Sequence, residues 1–350
     1  MNNIVTQLQN KAKRLGFSML GVIPAQPARR LDAYMRWVDA EMYGKMGYLA
    51  RPDRIIRRQD LNVIVPKVQS LICVGLDYHT IRLPDEIAND PSRGRISNYA
   101  WGVDYHDIMT PRLKELAAWL ASTADTETAH KVYVDTGAIL ERDHGETAGF
   151  GFTGKNTMLI SPRRGSWFFL GEILTTLPLP PTPFLDPTQM PSCGRCTRCL
   201  QACPTDAFPK PYVLDARRCI SYLSIELKGA IPEEFRPMMG NWIYGCDVCQ
   251  DVCPFNRFAP ETVEKGFAAD HWETAAPPLL DLLSLTEDGF KARFAGSPIK
   301  RIKRERFLRN VCVAAGNWGD ERVRQPLQVL LADPSPLIQE HAAWALQEIG

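Results

Sequence analysis

Eight of the ten cysteines stand in an order that can hold metal. They read Cys193-x2-Cys196-x2-Cys199-x3-Cys203-Pro204, then Cys219, then Cys246-x2-Cys249-x3-Cys253-Pro254. This is the ligand grammar of a double iron–sulfur module, in which three closely spaced thiolates hold one cluster and the fourth crosses to the other. It assigns Cys193, Cys196, Cys199 and Cys253 to one 4Fe–4S cluster, and Cys203, Cys219, Cys246 and Cys249 to its neighbour. In a plain bacterial ferredoxin two residues would follow the second half's first ligand. Here 26 separate Cys219 from Cys246, and that insertion is expected to be a functional loop.

Other thiol chemistries fit the spacing less well. Four-cysteine zinc sites also use Cys-x2-Cys pairs, but a third Cys in the same turn, followed by x3-Cys-Pro, has no place in them. A disulfide framework suits small secreted chains. A radical enzyme built on S-adenosylmethionine calls for Cys-x3-Cys-x2-Cys, which does not occur. The remaining two, Cys73 and Cys312, read as packing residues, since buried Cys behaves as a small hydrophobe. Two adjacent clusters carry single electrons, so another part of the chain should consume them.

Asp135 is a candidate for that part. It leaves a strand-like run, Lys131–Val134, directly into Thr136-Gly137. A carboxylate at a strand end, beside a Gly that admits close approach, is placed for general acid work if its surroundings raise its pKa. A turn or N-cap Asp is the plain alternative, and Glu141-Arg142 just beyond reads as a structural ion pair. Gly149-Phe-Gly151-Phe-Thr-Gly154-Lys155-Asn156-Thr157 matches Gly-x-Gly-x-x-Gly and narrowly misses a phosphate-binding loop, because Asn156 stands where Ser or Thr should follow the Lys. No strand directly precedes its first Gly, as a dinucleotide fold requires. The preferred reading is a tight turn lying against a large planar cofactor.

The elements that must position these groups are mixed. Asn3–Leu15 and Leu31–Trp37 have helical apolar spacing, as does Leu113–Ala121, while Ser70–Gly75, Lys131–Val134 and Ser166–Glu172 read as strands. Leu177–Pro183 is stiff and extended and reads as a linker. Arg306–Gly316 and Ile338–Ile349 echo one another: Asn310-x3-Ala314 is matched by His341-x3-Ala345, in the style of HEAT helical pairs. With 350 residues, two or three domains are expected. The boundaries read as 1–185, 186–258 and 259–350. Composition is that of an ordinary soluble protein, at 45% hydrophobic and 23% charged. No signal peptide and no run of membrane-spanning length is read, so a cytoplasmic location is expected.

The formal charge is only +1, but it is unevenly spread. Between Lys291 and Asn310 eight basic residues face one acid, Glu305, so the window is +7 and the remainder −6. A basic stripe on an acidic body is the footprint of phosphate binding. A solvated helix face would give the same pattern.

Several runs together resemble the epoxyqueuosine reductases, cobalamin-dependent enzymes of tRNA queuosine biosynthesis. They are Tyr99-Ala-Trp-Gly-x-Asp104-Tyr105-His106, Val134-Asp135-Thr-Gly-x-x-Leu-Glu-Arg142, Gly151-x-x-Gly-Lys155-Asn156-Thr157, Gly165-Ser-Trp-x-x-Leu170-Gly-Glu172, Arg218-Cys219-Ile-Ser221-Tyr and Tyr244-Gly-Cys246-Asp247-x-Cys249-Gln250. They cover the chain in order to about residue 257, and the helical tail also fits. The resemblance implies an α+β fold: a nitroreductase-like cobalamin-binding domain, a ferredoxin-like double 4Fe–4S domain and C-terminal HEAT-like helices. It implies reduction of epoxyqueuosine to queuosine at the wobble position of a tRNA anticodon stem-loop, fed by an external low-potential electron donor. Asp135 would be the proton donor. Arg57, Ser97, Lys155, Asn156, Leu159, Leu170, Ser221 and Asp247 would stand with Asp135 around the cofactor, Arg58 being an equal candidate for the Arg57 role. Lys228 and Gly229 resemble a loop that meets tRNA, joined by Lys300, Arg301, Lys303 and Arg304 of the basic stripe. No Asp-x-His-x-x-Gly run is present, so no protein histidine is expected on cobalt, and His106 reads as a structural hydrogen-bonding residue. Two competing readings stay open. A reductive dehalogenase shares the corrinoid and the clusters but calls for a twin-arginine leader, which is not read here. A plain electron-transfer ferredoxin would leave Asp135 idle.

Overall fold

The structure, a computed structural model, describes residues 2–183, 190–269 and 271–350. Its strands are β1 (Met19–Pro24), β2 (Ser70–Asp77), β3 (Arg95–Ile96), β4 (His130–Tyr133), β5 (Phe152–Thr153), β6 (Leu159–Ile160), β7 (Phe168–Thr175) and β8 (Trp242–Tyr244). Four of them form an antiparallel sheet in the order β1-β2-β7-β4. All eight positions of β2 are buried, which requires both faces of the sheet to be covered. Successive side chains point to opposite faces. Ile72, Val74 and Leu76 meet Leu8 and Ala12 of helix Asn2–Arg14 and Met109, Leu113 and Leu116 of helix Tyr105–Ser122. Leu71 and Cys73 face the other way, onto Ile139, Leu159 and Phe168.

The apolar strand runs emerge where the sequence places them. Strand β1 is not signalled, because Gly21 and Pro24 are poor strand formers. It exists through its pairing with β2, and Gly21 is needed there: a Cβ would come 2.6 Å from the Ala148 carbonyl oxygen. Leu177–Pro183 is not a free linker. The Thr182 N–H donates to the Val22 carbonyl at 2.9 Å, and the Leu179 N–H donates to Ser70 Oγ at 2.9 Å, so this segment is pinned to β1 and β2. The expected boundary at 185/186 lies outside the described residues.

One apolar core runs from the segment between the cysteines into the C-terminal helices. It joins Ile220, Leu223 and Ile225, strand β8, Leu279, Leu282 and Leu283, and the buried faces of helices Lys303–Trp318 and Pro336–Ile349. Strand β3 pairs in parallel with β8 and ties this core to the sheet-bearing region. The echoed helices pack directly on one another: a Cβ at Gly316 would lie 2.9 Å from Ala345 Cα, so only Gly permits that approach. Among the described residues no helix is long and apolar enough to cross a membrane.

Candidate functional site

Four of the eight thiols share one recess, and the other four are neighbours by their mutual electrostatics. Cys193, Cys196, Cys199 and Cys253 line one small recess with Asn156, Ile160, Arg198 and Phe255. Burial raises the Cys199 thiol, and the neighbouring Cys193, Cys253 and Cys196 add to it. In the other set, burial pushes Cys249 well up, with Cys219 and Cys203 among its repulsive neighbours. Cys246 is likewise raised by burial and then by Cys219 and Cys249. Cys249 also feels Cys199, which links the sets. Backbone amides already serve the sulfurs: Lys155 N–H donates to Cys193 Sγ and Ala207 N–H to Cys203 Sγ, each at 3.4 Å. Crowding among thiols disfavours bare thiolates, N–H donors to sulfur favour them, and the charge of bound iron would hold such a group deprotonated.

The glycine-rich run is a hairpin, not a nucleotide loop. Strands β5 and β6 pair, and no helix opens after Gly154, so the phosphate-loop and dinucleotide readings fall. Gly151 is obligatory: a Cβ would stand 2.0 Å from the Ile160 carbonyl oxygen. The tip closes with Gly154 N–H on the Met158 carbonyl at 2.8 Å and with Thr157 at φ +64. Lys155 and Asn156 at this tip meet the cysteine segment, where a planar cofactor had been expected. Lys155 Nζ donates to the Gly194 and Cys196 carbonyls at 2.8 and 3.0 Å, and Asn156 Nδ2 donates to the Cys249 carbonyl at 3.2 Å.

Asp135 is exposed and has φ +57. The Thr136 N–H donates back to the Val134 carbonyl at 2.6 Å, so Asp135 is the centre of a three-residue turn in a sparsely populated conformation. The hydroxyl of Tyr105 donates to its Oδ2 at 2.8 Å. Tyr105 stacks on Phe169 at 4.3 Å and on His106 at 4.2 Å, and its phenol is raised by burial and then by Asp135. His106 Nδ1 lies 2.8 Å from Asp104 Oδ1, and that bond raises the imidazole's pKa against an opposing burial effect. The desolvation expected around Asp135 is not supplied by protein, because the turn carries the carboxylate outward.

The remaining expected site residues make contacts of their own. Ser97 Oγ donates to Asp247, whose other oxygen accepts the Asn98 N–H at 2.7 Å. Burial, with Asp251 adding, pushes the Asp247 carboxyl up to about 7. Leu159 and Leu170 adjoin the same point of Gly145, and the Ser221 backbone N–H faces the Cys219 sulfur. Arg57 is half-buried; Arg58 is buried over the Tyr34 ring at 4.8 Å and donates to the Arg54 carbonyl. Glu141 and Arg142 make no ion pair. Arg142 donates to the Thr157 carbonyl at 2.5 Å, while burial and then Glu172 push Glu141 well up. Behind them His144 Nδ1 meets Glu172 at 3.0 Å, and Glu172 outweighs the burial that would lower the imidazole.

Charge gathers near Asp135 from distant segments. Tyr48, 47% exposed, has its phenol pushed up to about 12 by burial and then by Glu226, with Arg301, Asp135 and Arg54 as further neighbours. Tyr48 is not singled out by the sequence, because it stands among Met42, Tyr43, Met46 and Leu49 with no spacing that marks a site. Arg301 pairs with Glu226 at 2.7 Å. Lys300 lies 3.8 Å from Asp104 and 3.7 Å from Asp107, and Lys228 and Lys303 are exposed. Arg304 is a correction to the expected phosphate surface: its guanidinium is spent on Asp333 and the Leu285 carbonyl, at 2.7 and 2.6 Å. Arg309 of the same stripe is fully buried.

An α+β scaffold with two four-thiol sets and an outward carboxylate defines an iron–sulfur oxidoreductase, and residues 192–256 match the family described as 4Fe-4S double cluster binding domain. Residues 58–136 match the family described as Epoxyqueuosine reductase QueG. The Escherichia coli strain K12 epoxyqueuosine reductase is 38% identical, over 99% of this chain and 90% of that one. The Pseudomonas aeruginosa epoxyqueuosine reductase is 38% identical, over 99% and 95%. A crystal structure of epoxyqueuosine reductase with an epoxyqueuosine-modified tRNA-Tyr stem loop superposes with a TM-score of 0.89 at 33% identity, covering 100% of this chain and 91% of that one. A Bacillus subtilis epoxyqueuosine reductase structure, described as having its catalytic aspartate loop swung out of the active site, gives 0.89 at 32%, with the same coverage. The chain belongs to the epoxyqueuosine reductase family.

Proposed function

We propose that the chain removes the epoxide oxygen of epoxyqueuosine at the wobble position of a tRNA anticodon stem-loop, using two 4Fe–4S clusters and cobalamin, with Asp135 as proton donor. The observation that carries this reading is Asp135 itself: an exposed residue on a strained turn, its carboxylate held by the Tyr105 hydroxyl. The stem-loop bound to one relative supports the substrate class, and the mobile aspartate loop named for another supports the role.

Opening the epoxide to the alkene consumes two electrons and two protons and releases water. When bound, the clusters would supply electrons singly and the corrinoid a low-valent, nucleophilic cobalt. The protein's own task is the proton. Tyr105 occupies Oδ2 of Asp135, so Oδ1 is the oxygen left to carry the proton to the departing oxygen. Covering by cofactor and substrate would desolvate the carboxyl, which favours its neutral form. The residues suit a large amide-fringed cofactor: Arg58 Nε, Asn98 Oδ1 and His106 Nε2 are buried polar atoms with no hydrogen-bond partner among the described residues. Arg57, Ser97, Lys155, Asn156, Leu159, Leu170, Ser221 and Asp247 would hold it.

The C-terminal helices are read as a HEAT-like pair, within regions 1–185, 186–258 and 259–350. Lys228, Lys300, Arg301 and Lys303 would face the stem-loop phosphates, with Arg304 bracing them. An external low-potential donor would feed the clusters, in the cytoplasm, where such clusters persist. Asp135→Asn tests the reading. Turnover should fall by about 10²–10⁴ while the cobalamin absorption spectrum of the loaded protein is unchanged. Retained turnover would remove Asp135 from the chemistry.

A further inference from the structure

We infer that Lys155 is a positioning residue that raises the reduction potential of the cluster bound by Cys193, Cys196, Cys199 and Cys253. The inference rests on the proposed ligand assignment. It also gives a purpose to the glycine-rich run, which neither the proton chemistry nor nucleotide binding uses.

Three contacts bring Lys155 to that cluster. Its Nζ donates to the Gly194 carbonyl at 2.8 Å and to the Cys196 carbonyl at 3.0 Å, so the ammonium is fixed on the turn between two ligands. Its backbone N–H donates to Cys193 Sγ at 3.4 Å. Its carbonyl accepts the Tyr212 N–H at 3.0 Å, which anchors the residue from the other side. The hairpin holds this placement, because Gly151 lies against the Ile160 backbone too closely for any side chain.

Reducing a cluster adds one negative charge within an already anionic thiolate shell. A fixed cation and an amide dipole beside it stabilise the reduced form more than the oxidised one, so the potential moves positive. The other cation at this recess, Arg198, is exposed and screened by solvent, whereas Lys155 is half-buried and doubly bonded. At the same hairpin tip, Asn156 gives the other set only a neutral amide, on the Cys249 carbonyl. The tip therefore acts unequally on the two clusters, and favours entry of the electron at the Cys193 set.

The test is an EPR-monitored redox titration of anaerobically prepared full-length protein, comparing wild type with Lys155→Met and Lys155→Arg, with iron assayed in each. Support consists of full iron in Lys155→Met, one midpoint potential shifted negative, the other unmoved, and Lys155→Arg close to wild type. Unmoved potentials, or equal shifts of both, in fully iron-loaded Lys155→Met would overturn the inference. So would loss of iron from that variant, since Lys155 would then be a structural staple. A wild-type protein lacking two clusters' worth of iron would overturn the ligand assignment instead, before any variant is compared.

Discussion

Asp135 is where residue chemistry and backbone strain coincide. Positive φ in a non-glycine residue is costly and persists only where the surroundings impose it. The Tyr105 hydroxyl, itself locked between Phe169 and His106, supplies that restraint. Tyr105→Phe should therefore lower turnover about tenfold, the worth of one hydrogen bond to a charged group, with iron and cobalamin content unchanged. His106 belongs to the same support. Asp104 raises its folded pKa, so the stability from that pair is fully present below the unfolded histidine's ordinary value and is lost as pH rises through the folded one. Asp104 and Asp135 favour the imidazolium, while burial and Arg301 oppose it. The melting-temperature gap between wild type and His106→Gln should be widest near about pH 6 and close by about pH 9. A gap that grows with pH would refute the pairing. Asp135 was legible in the sequence because a strand, a carboxylate and a Gly sit in a row. The Tyr105 bond was not, since it spans 30 positions that only folding brings together.

At the scale of elements, the C-terminal end of the basic stripe, Arg306 and Arg309, is scaffolding for the insertion between Cys219 and Cys246, while Lys291, Arg293, Lys300, Arg301 and Lys303 stay exposed. Arg309 donates to the carbonyls of Leu223, Leu227 and Gly229, each at 2.7 Å, and Arg306 to that of Ile225 at 2.5 Å. The echoed polar positions do similar work. Asn310 caps the Ser224 and Ile243 carbonyls at 2.8 Å, and His341 Nε2 accepts the Ile231 N–H at 3.1 Å. The internal repeat was therefore visible as a pattern, but what its polar residues grip was not. A run of charge also cannot reveal which guanidinium is buried. Arg309→Leu should destabilise the protein by about 3 kcal/mol, because it leaves buried carbonyls without donors. It should also speed hydrogen exchange of the amides at 223–231. Protection equal to wild type there would show that the insertion holds itself in place.

Across the whole molecule, three expectations meet in one arrangement. The cysteine spacing specified a double-cluster module, and residues 192–256 match a 4Fe-4S double cluster binding domain. The apolar runs specified three strands, which the fold joins with the unannounced β1 in one sheet covered on both faces. The charge pattern implied a phosphate surface, and of its candidates Lys228, Lys300, Arg301 and Lys303 are exposed, the four proposed to face the stem-loop. Replacing Lys228, Lys300 and Lys303 together by Ala should weaken stem-loop binding and reduce the slope of log affinity against log salt by about two. An unchanged slope would place the RNA on another face. The central claim is that electrons from two iron–sulfur clusters reach a corrinoid beside one carboxyl group. It is tested most directly by reducing anaerobic, iron-loaded protein with and without cobalamin, and weighing an epoxyqueuosine-bearing stem-loop afterwards. The expected result is a product lighter by one oxygen atom only when both iron and cobalamin are present; conversion without cobalamin, or by protein holding zinc in place of iron, would contradict the account.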